Sequence, residues 1–169
     1  YADGNVGSPL LLASSAERAA KFGRDTKLAF VEQDPARHGQ LAASLKQEGV
    51  EPDQLLAGSF ADSIDKLLGR YQGHAVLIFV DPFGLAFDRV SLESILRRSS
   101  SGQPIDVLFH FSVSTVARMA RAELANAWAG SPPGPNGIKL DAALGDVYWR
   151  ATFAQADDDD RATHVALEI

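Results

Sequence analysis

No cysteine occurs among the 169 residues, which excludes disulfides, thiolate nucleophiles and cysteine-ligated zinc together. The same absence suits a reducing compartment, and a cytoplasmic location is the expectation. Long hydrophobic runs are missing too. The longest aliphatic and aromatic stretch, Ala75 to Val80, falls far short of the roughly 20 residues that a membrane-spanning helix needs. Tyr1-Ala2-Asp3-Gly4 opens with neither a basic nor an apolar segment, so no secretory signal is read there. Basic residues are outnumbered, 16 Lys+Arg against 22 Asp+Glu for a formal net charge of -6. That balance disfavours wrapping nucleic acid by bulk charge, although it leaves a local basic face open. Neither a Walker-type loop nor a clustered Asp/Glu/His set is present, so nucleotide hydrolysis and metal-dependent nuclease chemistry recede and no metal site is expected.

What is present is the composition of a folding chain, 46% hydrophobic and 22% charged, at a length suited to one domain. Segments alternate along it. Ser8-Pro9 reads as an N-cap followed by proline, and Leu11, Leu12, Ala16, Ala19 and Ala20 continue at helical spacing to Gly23. Leu28 to Val31 is a short apolar strand closed by Glu32, after which Asp34-Pro35 starts a helix to about Glu48, stopped by Gly49. Gln54 to Ala57 is a weaker strand, followed by a helix over Asp62 to Leu68. The unbroken run Ala75 to Val80 predicts a central parallel strand covered on both faces. Ser91 to Arg98 then reads as helix, Val107 to Phe111 as a second buried strand and Ser114 to Trp128 as a longer helix. This order predicts an α/β fold with a doubly wound, mostly parallel sheet. Residues 1–130 form the expected core, 131–137 a Pro/Gly loop and 138–169 a helical extension of the same domain. The acidic run Asp157 to Asp160 reads as a solvated hinge or helix start.

Ligands of such sheets sit beyond the carboxyl ends of the strands. Those ends carry Glu32, then Gly58-Ser59-Phe60, then Asp81-Pro82-Phe83-Gly84, then Ser112-Val113-Ser114. A carboxylate such as Glu32 accepts two hydrogen bonds from a ribose diol, or it caps the helix that follows, as Asp34 is expected to do. Asp81 and the Pro82 carbonyl, turned away from the sheet by the proline, offer acceptors to a substrate amine, with Phe83 covering one side. The alternative for that tetrapeptide is an ordinary turn. His110, inside an apolar strand, reads as a satisfied core histidine, with a catalytic one as the alternative. Arg97-Arg98, Arg118 and Arg121 are the basic clusters, expected on solvent faces of helices, with an anionic ligand as the alternative for Arg118.

The ordered series Tyr1 to Leu10, Phe30-Val31-Glu32-Gln33-Asp34-Pro35, Asp81 to Gly84, Val116-Ala117-Arg118 and Leu140 to Gly145 with Trp149 resembles the three-Cys-motif partner protein family (TcmP). The resemblance implies a Rossmann-like fold of the class I methyltransferase type, S-adenosylmethionine as cofactor, and a partner protein bearing a three-cysteine motif. It places Glu32 at the cofactor ribose, Ser59 and Phe60 near the adenine, and Asp81, Pro82 and Phe83 where amino-group methyltransferases carry Asp/Asn-Pro-Pro-aromatic. Phe83 stands in for the second proline of that pattern and Gly84 for its aromatic, while Ser59 stands where Gly-Asp-Phe has its carboxylate. At the amino end, Asp3, Gly4 and Gly7 correspond to the downstream edge of a glycine-rich cofactor loop whose upstream part, with the first strand, is not in this sequence. The sheet is therefore expected to lack its first strand and its C-terminal strands in this chain. The departures also open a second reading, a non-catalytic Rossmann-like module that serves a partner and no longer holds cofactor.

Overall fold

The computed structural model describes residues 7–81, 89–110, 112–126 and 131–155. The chain divides into two compact units, Tyr1–Arg70 and Tyr71–Ile169. Among the described residues it is a mixed α/β protein in which two short pairs of parallel strands alternate with helices. No helix of the described residues is long and apolar enough to cross a membrane.

In the first unit, α1 (Ser8–Ala20) is followed by β1 (Ala29–Glu32), α2 (Pro35–Gln47), β2 (Gln54–Ala57) and α3 (Phe60–Arg70). The cap of α1 is Gly7 and not Ser8, because the chain is already helical at Ser8 and Pro9 falls in the first turn, where a missing N–H costs nothing. Helix α2 starts where its sequence predicts. Asp34 accepts the Arg37 amide at 2.8 Å, and Pro35 supplies the preset φ of the first position. The helix stops at Gly49, whose φ of +68° admits the left-handed turn; the Val50 amide then returns to the Leu45 carbonyl at 2.8 Å and that of Gly49 to Lys46 at 3.2 Å. Leu41 and Leu45 on α2 thereby face Phe30 of β1 in a core completed by Leu28, Val50 and Leu55. β1 and β2 pair in parallel from Ala29↔Gln54 to Glu32↔Ala57, and an Asp53–Arg70 ion pair at 2.9 Å ties the start of β2 to the end of α3.

The second unit contains β3 (Val76–Val80), α4 (Arg89–Ser100), β4 (Ile105–Phe109), α5 (Val113–Asn126), α6 (Pro135–Leu144) and α7 (Trp149–Gln155). β3 and β4 are parallel, in register from Val76↔Ile105 to Val80↔Phe109. The expectation that both are covered on both faces is corrected here. Leu77 is 63% exposed and Leu108 58%, on one face of the pair, while Val107 and Phe109 are exposed on the other. An apolar run records that a strand is hydrophobic, not that a neighbour covers it. A helical cluster is buried in this unit, Val116, Ala117 and Ala120 of α5, Leu140 and Leu144 of α6, and Trp149 and Phe153 of α7, while of the two strands only Val80 is buried.

The stretch 131–137 is not loop throughout, since α6 begins at Pro135 with Gly134 as its cap. Gly134 has no side chain to satisfy the first amides. Glu123 of α5 does so from another helix, taking the Gly134 amide at 2.5 Å on Oε1 and the Gly137 amide at 3.0 Å on Oε2. A Cβ at Gly137 would lie 2.5 Å from Glu123 Oε1, so any larger residue there would push the carboxylate from its place on these amides. Two charge-assisted bonds at the positive end of a helix make Glu123→Ala costly. The expected loss is about 1.5–3 kcal/mol, read as a lower thermal midpoint, with Glu123→Gln retaining part of it. An unchanged midpoint for Glu123→Ala would show that these bonds do not hold α6.

Candidate functional site

Because both strand pairs are parallel, each brings two carboxyl ends side by side. In the first unit these ends carry Glu32 and the turn Gly58-Ser59-Phe60. Gly58, with φ +145°, turns the chain out of β2, and its amide donates to the Glu32 carbonyl at 3.1 Å. Glu32 Oε1 accepts the Asp34 amide at 2.9 Å, so this carboxylate braces the entry to α2 while its own strand end stays half-buried. Ser59 is more fully committed: its hydroxyl donates to the Asp62 carboxylate at 2.6 Å and accepts the Asp62 amide at 3.1 Å, as a helix-capping serine does. Phe60 is the first residue of α3 and is half-buried. The three sequence-predicted residues thus do share one strand edge, with two of them also engaged in local helix capping.

In the second unit the corresponding edge carries Asp81 and His110, the first residues after β3 and β4. The His110 amide extends the ladder by one bond, to the Val80 carbonyl at 2.8 Å. Continuing the register beyond Val80↔Phe109 sets Asp81 beside His110, and His110 Nδ1 lies 2.6 Å from Asp81 Oδ1. His110 is therefore no core histidine: its side chain is 64% exposed, because β4 ends at Phe109 and the imidazole stands beyond the sheet. The sequence offered the two apolar runs, but the pairing of Asp81 with His110 follows only from their register. Two residues on, the Ser112 hydroxyl accepts the Thr115 amide at 3.3 Å and bonds the Thr115 hydroxyl at 2.9 Å, capping α5. Asp3, Gly4, Pro82 and Phe83 lie outside the described residues, as does the run Asp157 to Asp160. Arg118 is exposed on α5.

No known protein family, curated protein or solved structure matches the chain.

The second unit also has an open groove of about 610 Å³ beside the 131–135 segment, lined among others by Pro132, Pro133, Glu123, Asp141 and Arg150. Its charges are already spent on protein partners. Glu123 holds the α6 amides, and Asp141 forms a two-pronged ion pair with Arg150, at 2.7 and 3.0 Å, while also accepting the Trp149 indole N–H at 2.8 Å. Burial raises the Asp141 carboxyl, but the hydrogen bonds from Arg150 and Trp149, together with the Arg150 charge, outweigh it and hold the group below its ordinary value of 3.8. This cluster stabilises the helical core rather than presenting free charge to a ligand. The strand ends are the stronger candidate.

Proposed function

We propose that the chain is an S-adenosylmethionine-dependent methyltransferase-like domain of the three-Cys-motif partner type, on a Rossmann-like sheet. The observation that carries this reading is an acidic residue at the carboxyl end of a parallel strand in each unit, Glu32 as the last residue of β1 and Asp81 directly after β3. Glu32 would take the ribose hydroxyls of the cofactor, with Ser59 and Phe60 on the adjoining turn near the adenine. Asp81, with Pro82 and Phe83 after it, would orient the methyl acceptor. Such chemistry asks little of protein nucleophiles, because the sulfonium carbon is already activated and alignment with water exclusion does the remaining work. A chain without cysteine is compatible with it.

Titration calorimetry with S-adenosylmethionine and S-adenosylhomocysteine tests the reading. Binding of both is expected, and Glu32→Ala weakens it about 10- to 100-fold, the equivalent of about 1.5–3 kcal/mol for hydrogen bonds to a charged group. No heat and no thermal shift at millimolar ligand would sink the cofactor assignment.

The local bonds of Ser59 and of Glu32 Oε1 favour a second reading, a Rossmann-like module that binds a partner without cofactor. Undiminished association with a three-cysteine-motif protein after Glu32→Ala and Asp81→Ala would support it. Loss of association in both variants would count against it.

A further inference from the structure

We propose that Asp81 and His110 form a general-base dyad, in which Nε2 of His110 removes a proton from a neutral protic substrate, an amine or a hydroxyl. This goes beyond the methyl-transfer reading. In that reading the substrate is the methyl acceptor, but the dyad itself is independent of any cofactor.

An ionised carboxylate only accepts, so at 2.6 Å from Asp81 Oδ1 the Nδ1 of His110 carries the proton. In the neutral ring the lone pair then falls on Nε2. The carboxylate orients the ring, selects the tautomer and stabilises the imidazolium formed when Nε2 takes a proton, which is how a histidine is prepared for base catalysis. The transfer balances without further reagents: the X–H bond breaks, its electron pair stays on X, and the proton passes to Nε2.

The backbone on both sides is held by the strand ladder up to the Val80–His110 bond, so the pair stands on a rigid edge rather than on a free loop. It does so at the carboxyl end of a parallel pair, where ligands of α/β folds bind. With side chains 64% and 46% exposed, the ion pair adds little to folding. A structural role therefore accounts poorly for so close a contact, whereas access for a substrate needs that exposure.

Two measurements on the whole chain test the dyad. Ring nitrogen shifts from 15N-labelled histidine should show His110 in the Nδ1–H form at neutral pH, and this needs no variant. Diethyl pyrocarbonate, a probe of histidine nucleophilicity, should acylate His110 about tenfold faster than the exposed His74, a ratio equivalent to about 1.4 kcal/mol. In that reaction the Nε2 lone pair bonds a reagent carbonyl carbon, ethyl carbonate leaves, and the Nδ1 proton passes to Asp81 or solvent. Asp81→Ala should bring the His110 rate down to that of His74. An Nε2–H form in the wild type, equal acylation of the two histidines, or a His110 rate untouched by Asp81→Ala would each reduce the contact to a surface ion pair and overturn the proposal. Absence of S-adenosylmethionine binding alongside a fast, Asp81-dependent His110 would refute the methyl-transfer reading and leave the dyad standing.

Discussion

Trp149→Ala is expected to destabilise the second unit by about 3–5 kcal/mol, the range for truncating a large buried aromatic. Trp149 is fully buried among Leu140, Leu144, Val116 and Phe153, so its removal opens a cavity where three helices meet. It also withdraws the indole N–H from Asp141 and the ring over which the Arg150 guanidinium lies, 4.6 Å from the centroid. A unit of about 100 residues has about 5–15 kcal/mol in total, so the loss takes between about a fifth and the whole of its stability. Urea denaturation followed by circular dichroism reads the effect directly. A loss below about 1 kcal/mol would mean that α7 does not anchor this core.

Asp141→Ala is expected to cost about 2–3 kcal/mol at neutral pH. It leaves the Arg150 guanidinium and the Trp149 N–H without their acceptor, in a place where the two charged side chains are only 28% and 25% exposed. That residual exposure keeps the loss below the one for a fully buried pair, since water reaches the abandoned charge. The pH dependence has a defined sign. The folded-state carboxyl lies below its ordinary value of 3.8, so its contribution is complete above that value and disappears as the pH falls through the lower folded one. The stability difference between wild type and Asp141→Ala should accordingly be widest near neutrality and narrow only once the pH has fallen below 3.8. A difference independent of pH would contradict the charged pair.

Much of the local structure was legible because its signals are local. β2 falls on Gln54–Ala57 as read, and Asp34-Pro35 starts α2 while Gly49 ends it, since cap, proline and positive-φ glycine act within one turn of the chain. What escaped depends on partners far along the sequence. Glu123 caps α6 from eleven residues upstream, a bond foreshadowed only by two glycines that could accept so close an approach. The same blindness explains His110. Val107 to Phe111 is as apolar as a buried strand, but pairing with β3 ends at Phe109, and only that register reveals an imidazole next to a carboxylate. Of the candidate site, Glu32, Ser59, Phe60 and Asp81 stand at strand ends as the α/β pattern predicts, whereas the capping bonds of Ser59 and the partner of Asp81 required three-dimensional neighbours.

The two parallel pairs also bear on how the chain finds its fold. Parallel strands cannot close through a tight turn, so each pair must wait for a full crossover to form. The first joins Ala29 to Gln54, 25 residues apart, and the second joins Val76 to Ile105, 29 apart. Closure entropy grows only with the logarithm of loop length, and these two loops differ by about 0.1 kcal/mol. Neither crossover has a head start from topology. Loop length therefore does not separate the closure of the two pairs, whereas α2, inside the first loop, carries a capped start and a glycine-terminated end of its own.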